Sequence, residues 1–339
     1  MTPSGIPLSP RSLRDFVERH GGVTKRGAHG VVRRLASVTR AGAGDLAPLL
    51  SSRYVEDAAA AVARGAFLLV DAALEGREDV AALPGWFHPY AAWALAELLD
   101  FADHPADAPI IGEDSTIGRG VVLLPRVRIG ARVTIGAGAI IGEAGFGFAP
   151  GPDGAMRAIP HLAGVVVEDD VHIGALCTIS AGTLSPTTIR SGAKLDAQVH
   201  IGHNCDIGED TIIAAQSGLA GSVTVGRGVL MGGQVGIADH VTIGDHARIA
   251  AKSGVIGDVA ANATVAGYPA VERQRWLRGL AELYKLASGR GSMPPSSGRL
   301  RVPTSSPPPP LVSERAPGSV RPEAIIRRSE PPPAKVDRR

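Results

Sequence analysis

From Ile111 to Gly267 the chain places an aliphatic residue at every sixth position. The series runs Ile111, Ile117, Leu123, Ile129, Ile135 and Ile141, returns at Ile173 and Ile179, and continues through Ile189, Leu195, Ile201, Ile207, Ile213, Leu219, Val225, Met231, Ile237, Ile243, Ile249 and Val255. A glycine usually follows in the first run, and a small residue stands four places on. Helical amphipathicity repeats every 3.6 residues and strand alternation every two, so neither accounts for a period of six. The pattern predicts a parallel β-helix of hexapeptide repeats. Each hexad would form one flat side of a triangular prism, three would make a coil, and residues three hexads apart would stack at about the 4.8 Å spacing of paired strands. The 43 glycines among 339 residues are expected at the tight corners, where unusual φ/ψ is needed.

The rhythm breaks twice, between Ile141 and Ile173 and between Ile179 and Ile189, and the two breaks together restore the phase. The first contains Gly-Phe-Gly-Phe-Ala-Pro-Gly-Pro-Asp-Gly at 145–154. Loops expelled from a solenoid commonly carry specificity, so both are read as functional insertions.

The repeat has flanks of different character. Residues 1–104 predict a small α/β domain: a capped helix over 12–20, with Ser12 and Asp15 as a capping box, a buried strand over 66–71, and a helix over 88–101 that buries Trp93, Leu95, Leu98 and Leu99. The β-helix is expected over 105–270. A helix over 271–289 carries Trp276, Leu280 and Leu283 on one face, which predicts association with its copies about a threefold axis. Residues 290–339 are Pro-rich, with ten Lys/Arg against four Asp/Glu. They read as a disordered basic tail, either solubilising or directed to an acidic partner.

Composition narrows the function classes. Net charge is +2 and the excess sits in the tail, so the folded body is not expected to bind nucleic acid. Neither a leader nor an apolar run of membrane-spanning length is visible, and the expected compartment is the cytoplasm. Cys177 and Cys205 occupy the small inward position of their hexads and read as core residues.

Candidate chemistry gathers in one segment, Lys-Leu-Asp-Ala-Gln-Val-His-Ile-Gly-His-Asn at 194–204. His203 takes an outward position, and one coil later comes Gly221, whose backbone no side chain shields. A histidine beside a bare peptide N–H supplies a general base next to an oxyanion donor, the minimum for acyl transfer to an amine. Asp196, seven residues earlier, is a candidate to fix the imidazole tautomer. A solvated surface histidine remains the alternative. A metal site is not expected, because Asp239 and His240 offer the best stacked pair with His203 and only Asp239 is in register.

These segments, with 35–49 and Tyr54, 88–94, 145–154, Ile159-Pro160, 219–222, 232–240 and 265–270, resemble the UDP-3-O-(3-hydroxyacyl)glucosamine N-acyltransferases of lipid A biosynthesis. The resemblance covers about residues 10–288. It implies an N-terminal uridine-binding domain, a left-handed β-helix, a C-terminal helix and a homotrimer with sites between subunits. It implies a (R)-3-hydroxyacyl donor carried on acyl carrier protein as a phosphopantetheine thioester, a nucleotide-sugar acceptor and no cofactor. It further implies cytoplasmic location, compatible with peripheral contact at the inner membrane. His203 would be the base, Asp196 its orienting group and Gly221 the oxyanion donor. Tyr54, Phe146, Phe148, His240, Gln198 and Asn204 would contact substrate.

The chain departs from that pattern where uracil would be held. Pro48 stands in place of an aromatic ring and Ser51 in place of Asn, while 180–182, Met156 and His161 also differ. Two other readings stay open: an N-acyltransferase for another nucleotide amino sugar, and a non-catalytic trimeric scaffold.

Overall fold

The computed structural model describes residues 5–102, 107–267 and 272–287. The chain falls into two units, residues 1–270 and 271–339. The change of architecture expected near residue 104 is therefore internal to the first unit.

That unit opens with a mixed sheet. Its elements are β1 (Ile6–Ser12), α1 (Leu13–His20), β2 (Val23–Lys25), β3 (Val31–Leu35), β4 (Asp45–Leu49), α2 (Val55–Ala63), β5 (Phe67–Asp71), α3 (Glu78–Ala81), β6 (Gly85–His88) and α4 (Ala91–Asp100). The strand order is β1-β3-β4-β5-β6-β2, with a parallel centre and antiparallel edges. Ser12 opens α1 as a capping box: its Oγ accepts from Asp15 N at 3.1 Å, while Asp15 Oδ2 accepts from Ser12 N at 3.2 Å. In α4, Leu95, Leu98 and Leu99 are buried as expected, but Trp93 is only half-buried. Its ring packs outward, under the first insertion. A Cβ on Gly151 would come within 2.6 Å of it, and the Arg157 guanidinium stands 5.2 Å from the ring centroid.

The hexads form a parallel β-helix. Most strands are two residues long, and they stack into three sheets of seven, eight and seven strands among the described residues. Inward aliphatic residues stack rung on rung, as in Leu195↔Ile213, Ile201↔Leu219 and Ile207↔Val225, and they merge into one buried core with Cys177 and Cys205. Ile111 and Ile117 are partly exposed because each lies in the terminal strand of its sheet.

Some glycines do the job expected, Gly120, Gly138, Gly192 and Gly228 holding left-handed corners. Left-handed corner positions are occupied mostly by other residues, among them Asp114, Gln198, Asn204, Gln216, Ser222 and His240. Short polar side chains tolerate this region best, and a repeating corner enforces it on the rest. The glycine that follows the inward residue is instead required by close approach between coils. At Gly202, for example, a Cβ would stand 2.7 Å from the carbonyl carbon of Ala220 on the next rung.

Both breaks in the rhythm are insertions that leave the prism and return in register. Ile135 pairs with Ile173 across the first, and Ile173 with Leu195 across the second. The first folds as an antiparallel hairpin, Phe148–Pro150 against Met156–Ala158. The two insertions also pair with each other: Gly182 N donates to Gly164 O at 2.9 Å, and Ala163 N to Gly182 O at 2.8 Å. Leu162 and Leu184, one from each, complete the buried core beneath α4 with Leu35, Leu46 and Trp86. The N-terminal module and the insertions thus share one core.

In the second unit α5 spans Arg273–Ala287, with Trp276 and Leu283 exposed and Leu280 half-buried. Tyr268 to Ala270 and the basic tail lie outside the described residues. No helix among the described residues is long and apolar enough to cross a membrane.

Candidate active site

Three consecutive coils place His203, Gly221 and His240 along one edge of the prism. They follow the paired strands His200–Ile201, Gly218–Leu219 and Gly236–Ile237. Backbone bonds lock the stack, with Ser222 N donating to His203 O at 2.8 Å and His240 N to Gly221 O at 3.1 Å. Asn204, Ser222 and His240 hold the left-handed corner at φ 61°, 61° and 58°. With coils about 4.8 Å apart, a single extended molecule can reach all three.

The hydrogen bonds around Asn204 determine which nitrogen of His203 is basic. Asn204 Nδ2 faces Ser185 O at 3.2 Å, and a carbonyl only accepts, so that atom is the amide NH2. Asn204 Oδ1 faces Thr183 N at 3.4 Å and Thr183 Oγ1 at 3.0 Å, and a peptide N–H only donates. The same oxygen lies 2.9 Å from His203 Nδ1, which must therefore carry a proton. The lone pair of neutral His203 is left on Nε2. That nitrogen lies over Gly221, where a Cβ would come within 2.5 Å of it. The Gly221 N–H makes no hydrogen bond among the described residues.

Other groups close in on the ring. His161, from the end of the first insertion, is 7% exposed, and its ring centroid is 4.7 Å from that of His203 at 59°. Gly145 fits between them; a Cβ there would lie 2.7 Å from His161 Nε2 and from His203 Cβ. Burial first, then the neighbouring His203, pushes the His161 pKa down to about 4, so its ring is neutral near pH 7. His200 bonds Thr178 Oγ1 at 2.7 Å, and its pKa is likewise lowered, by burial and then by His203. Beside Gly145, Phe146 and Phe148 form an edge-on pair with centroids 5.1 Å apart, and Phe146 is 90% exposed.

Two expected site residues lie elsewhere in the chain. Asp196 does not orient His203: its Oδ1 accepts from Ala197 N at 2.7 Å and its Oδ2 from Ala215 N at 3.2 Å. A separation of seven is one hexad plus one, which leads to the neighbouring edge, whereas a shared edge needs whole coils. Gln198 stands on that other edge and starts a ladder, accepting from Gln216 Nε2 at 2.9 Å as Gln216 accepts from Gln234 Nε2 at 2.7 Å. Asn204, expected to touch substrate, instead turns its Oδ1 to His203 Nδ1 while its Nδ2 donates to Ser185 O. The orienting role falls to the residue next to the base, anchored by the second insertion.

At the upper end of the edge Tyr54 Oη lies 3.1 Å from His240 Nδ1, which joins the N-terminal module to the repeat. Arg53 reinforces the junction, donating to His240 O and to Thr242 Oγ1 at 3.1 Å. Ser51 Oγ caps the short turn that carries both residues, accepting from Arg53 N at 3.4 Å. Pro48 sits beyond the β3–β4 ladder, which ends at Leu46, so its missing N–H breaks no bond on that side. His161 and Arg53 lie outside the repeat, so its stacking rule gave no sign of them, whereas His200 stands in the repeat, paired with Thr178 and Gly218, within the segment 194–204.

Residues 108–143 and 186–221 match the family model for the bacterial transferase hexapeptide (six repeats). His203 and Gly221 fall in the second matched stretch of those repeats, and the gap between stretches contains both insertions. Among curated relatives, the UDP-3-O-acylglucosamine N-acyltransferase of Caulobacter vibrioides (strain NA1000 / CB15N) is 49% identical over 182 residues, 54% of this chain and 51% of that one. The protein of the same name from Anaeromyxobacter dehalogenans is 46% identical over 185 residues, 53% of this chain and 52% of that one. The chain spans about half the length of the curated relatives it matches. Among solved structures, UDP-N-acetylglucosamine acyltransferase from Campylobacter jejuni matches 56% of this chain and 85% of its own, at 23% identity and TM-score 0.41.

Proposed function

We propose that this protein is an N-acyltransferase that moves a (R)-3-hydroxyacyl group from acyl carrier protein to the 2-amino group of UDP-3-O-(3-hydroxyacyl)glucosamine. The observation that carries the reading is the tautomer of His203 set by Asn204, with basic Nε2 packed against Gly221, whose N–H makes no hydrogen bond among the described residues. The names of the relatives supply the substrate class.

The chemistry follows from that geometry. The acceptor amine attacks the thioester carbonyl, forming the C–N bond as its proton passes to His203 Nε2. The carbonyl oxygen, now an oxyanion, is held by the Gly221 N–H. Collapse breaks the C–S bond, and the thiolate leaves with the proton from Nε2, giving an amide and a free thiol. Neither a covalent enzyme intermediate nor a metal is required by this balance. Phe146 and Phe148 would cover the acyl donor, and Tyr54 with His240 would hold the nucleotide end of the acceptor. The assembly would be a homotrimer, with the exposed edge at His203 facing a neighbouring subunit.

General-base catalysis contributes about 10²–10⁴-fold, so His203→Ala is expected to lower kcat by that range with acceptor KM nearly unchanged. Steady-state kinetics on the folded variant checks this. Near-normal turnover would make His203 a structural residue.

A second reading rests on Pro48 and Ser51. Proline has no π-face for uracil, and Ser51 is engaged in capping the turn before Arg53. Both favour an acceptor whose base is held less tightly than uridine, which an acceptor screen across nucleotide amino sugars would reveal.

A further inference from the structure

His161 lies outside the repeat, and the mechanism above gives it no part. It is buried, its Nδ1 has no hydrogen-bond partner among the described residues, and it sits against the base itself. The position is also firmly held. Leu162, the next residue, belongs to the core beneath α4, and Gly145 is wedged between the two rings.

The single bond from Asn204 fixes the Nδ1 end of His203, yet one hydrogen bond leaves a ring free to swing about its Cβ–Cγ axis. Two surfaces limit that swing: the Gly221 backbone under Nε2 and Cε1, and the tilted ring of His161. Building on the N-acyltransfer reading, we propose that His161 is a positioning residue, a rigid wall that holds the His203 imidazole with Nε2 against Gly221. A planar ring suits this task, because it restricts the swing without competing for Nε2. Its neutrality suits it as well, since His203 becomes positively charged during the step and a charged neighbour 4.7 Å away would oppose that.

The test compares His161→Ala with His161→Phe in the full chain, using the acyl carrier protein thioester and the sugar nucleotide. Misplacing a catalytic group by about 1 Å can cost about 10²-fold. His161→Ala is therefore expected to lower kcat roughly 10- to 100-fold, with both KM values unchanged. His161→Phe restores a ring without nitrogen and should recover most of the rate. Nitrogen NMR should show a single His203 tautomer protonated at Nδ1 in the wild type and in His161→Ala, while ring relaxation should show a more mobile His203 imidazole in His161→Ala; an equally rigid ring overturns the proposal. Full turnover in His161→Ala overturns the proposal, as does a folded His161→Phe that is as slow as Ala, because the ring nitrogens would then act directly. Two His203 tautomers in the wild type overturn it without any variant. If His203→Ala itself turned over normally, this inference would fall together with the reading it rests on, whereas a dead His203→Ala beside a normal His161→Ala rejects this inference alone.

Discussion

Asn204 is the residue on which the chemistry turns, because its amide is oriented by a carbonyl on one side and a peptide N–H on the other. Removing it would let either nitrogen of His203 carry the proton. Asn204→Ala is expected to reduce kcat by about 10²-fold or more, with thermal stability lowered only modestly and acceptor KM close to wild type. Kinetics paired with a melting curve checks this; an unchanged kcat would show that the tautomer is set by something else. At this scale the sequence was legible only where its spacing mapped onto coils. His203 and Gly221 lie one coil apart and do meet, whereas Asp196, at one hexad plus one, lands on another edge. Asn204 could have been found by asking what holds the base in place, since it is adjacent in sequence. His161 could not, because only the return path of an insertion brings it to the site.

Between residue and fold stand the insertions, which convert a generic prism into a particular site. The slip in the six-residue phase revealed both, but where they go depends on contacts the repeat does not encode. The hairpin of the first is tied to α4 by Arg157, which bonds Glu97 at 3.1 Å and Asp100 at 2.7 Å and stacks over Trp93. Partly exposed ion pairs are each worth about 0–1 kcal/mol. Arg157→Ala should therefore leave the protein folded while freeing the hairpin. Hydrogen exchange at residues 148–158 is expected to accelerate while the prism strands keep their protection; unchanged exchange in the hairpin would show that Trp93 and Gly151 hold it without Arg157. The glycines teach a related lesson. Their abundance was read as corner flexibility, which Gly120, Gly138, Gly192 and Gly228 do supply, yet a Cβ at Gly202 would strike the next coil, so close approach between coils selects others.

For the molecule as a whole, the period of six was enough to specify a three-sided parallel prism, because only that shape stacks every sixth residue inward. Assembly is a separate matter. The helix α5 leaves Trp276 and Leu283 exposed, and the edge at His203 carries a 90% exposed Phe146. Both features call for neighbours, and light scattering is expected to give three times the 34.8 kDa chain mass; a folded, active monomer would place the whole site within one chain. The central claim is that the edge running from His203 to His240 makes an amide. Mass spectrometry of the product formed from a (R)-3-hydroxyacyl thioester of acyl carrier protein and UDP-3-O-(3-hydroxyacyl)glucosamine tests it most directly. The expected result is one added acyl group, stable to mild alkali as an amide on the 2-amino nitrogen, and absent with His203→Ala. An alkali-labile ester, or an acylated product formed equally by His203→Ala, would contradict it.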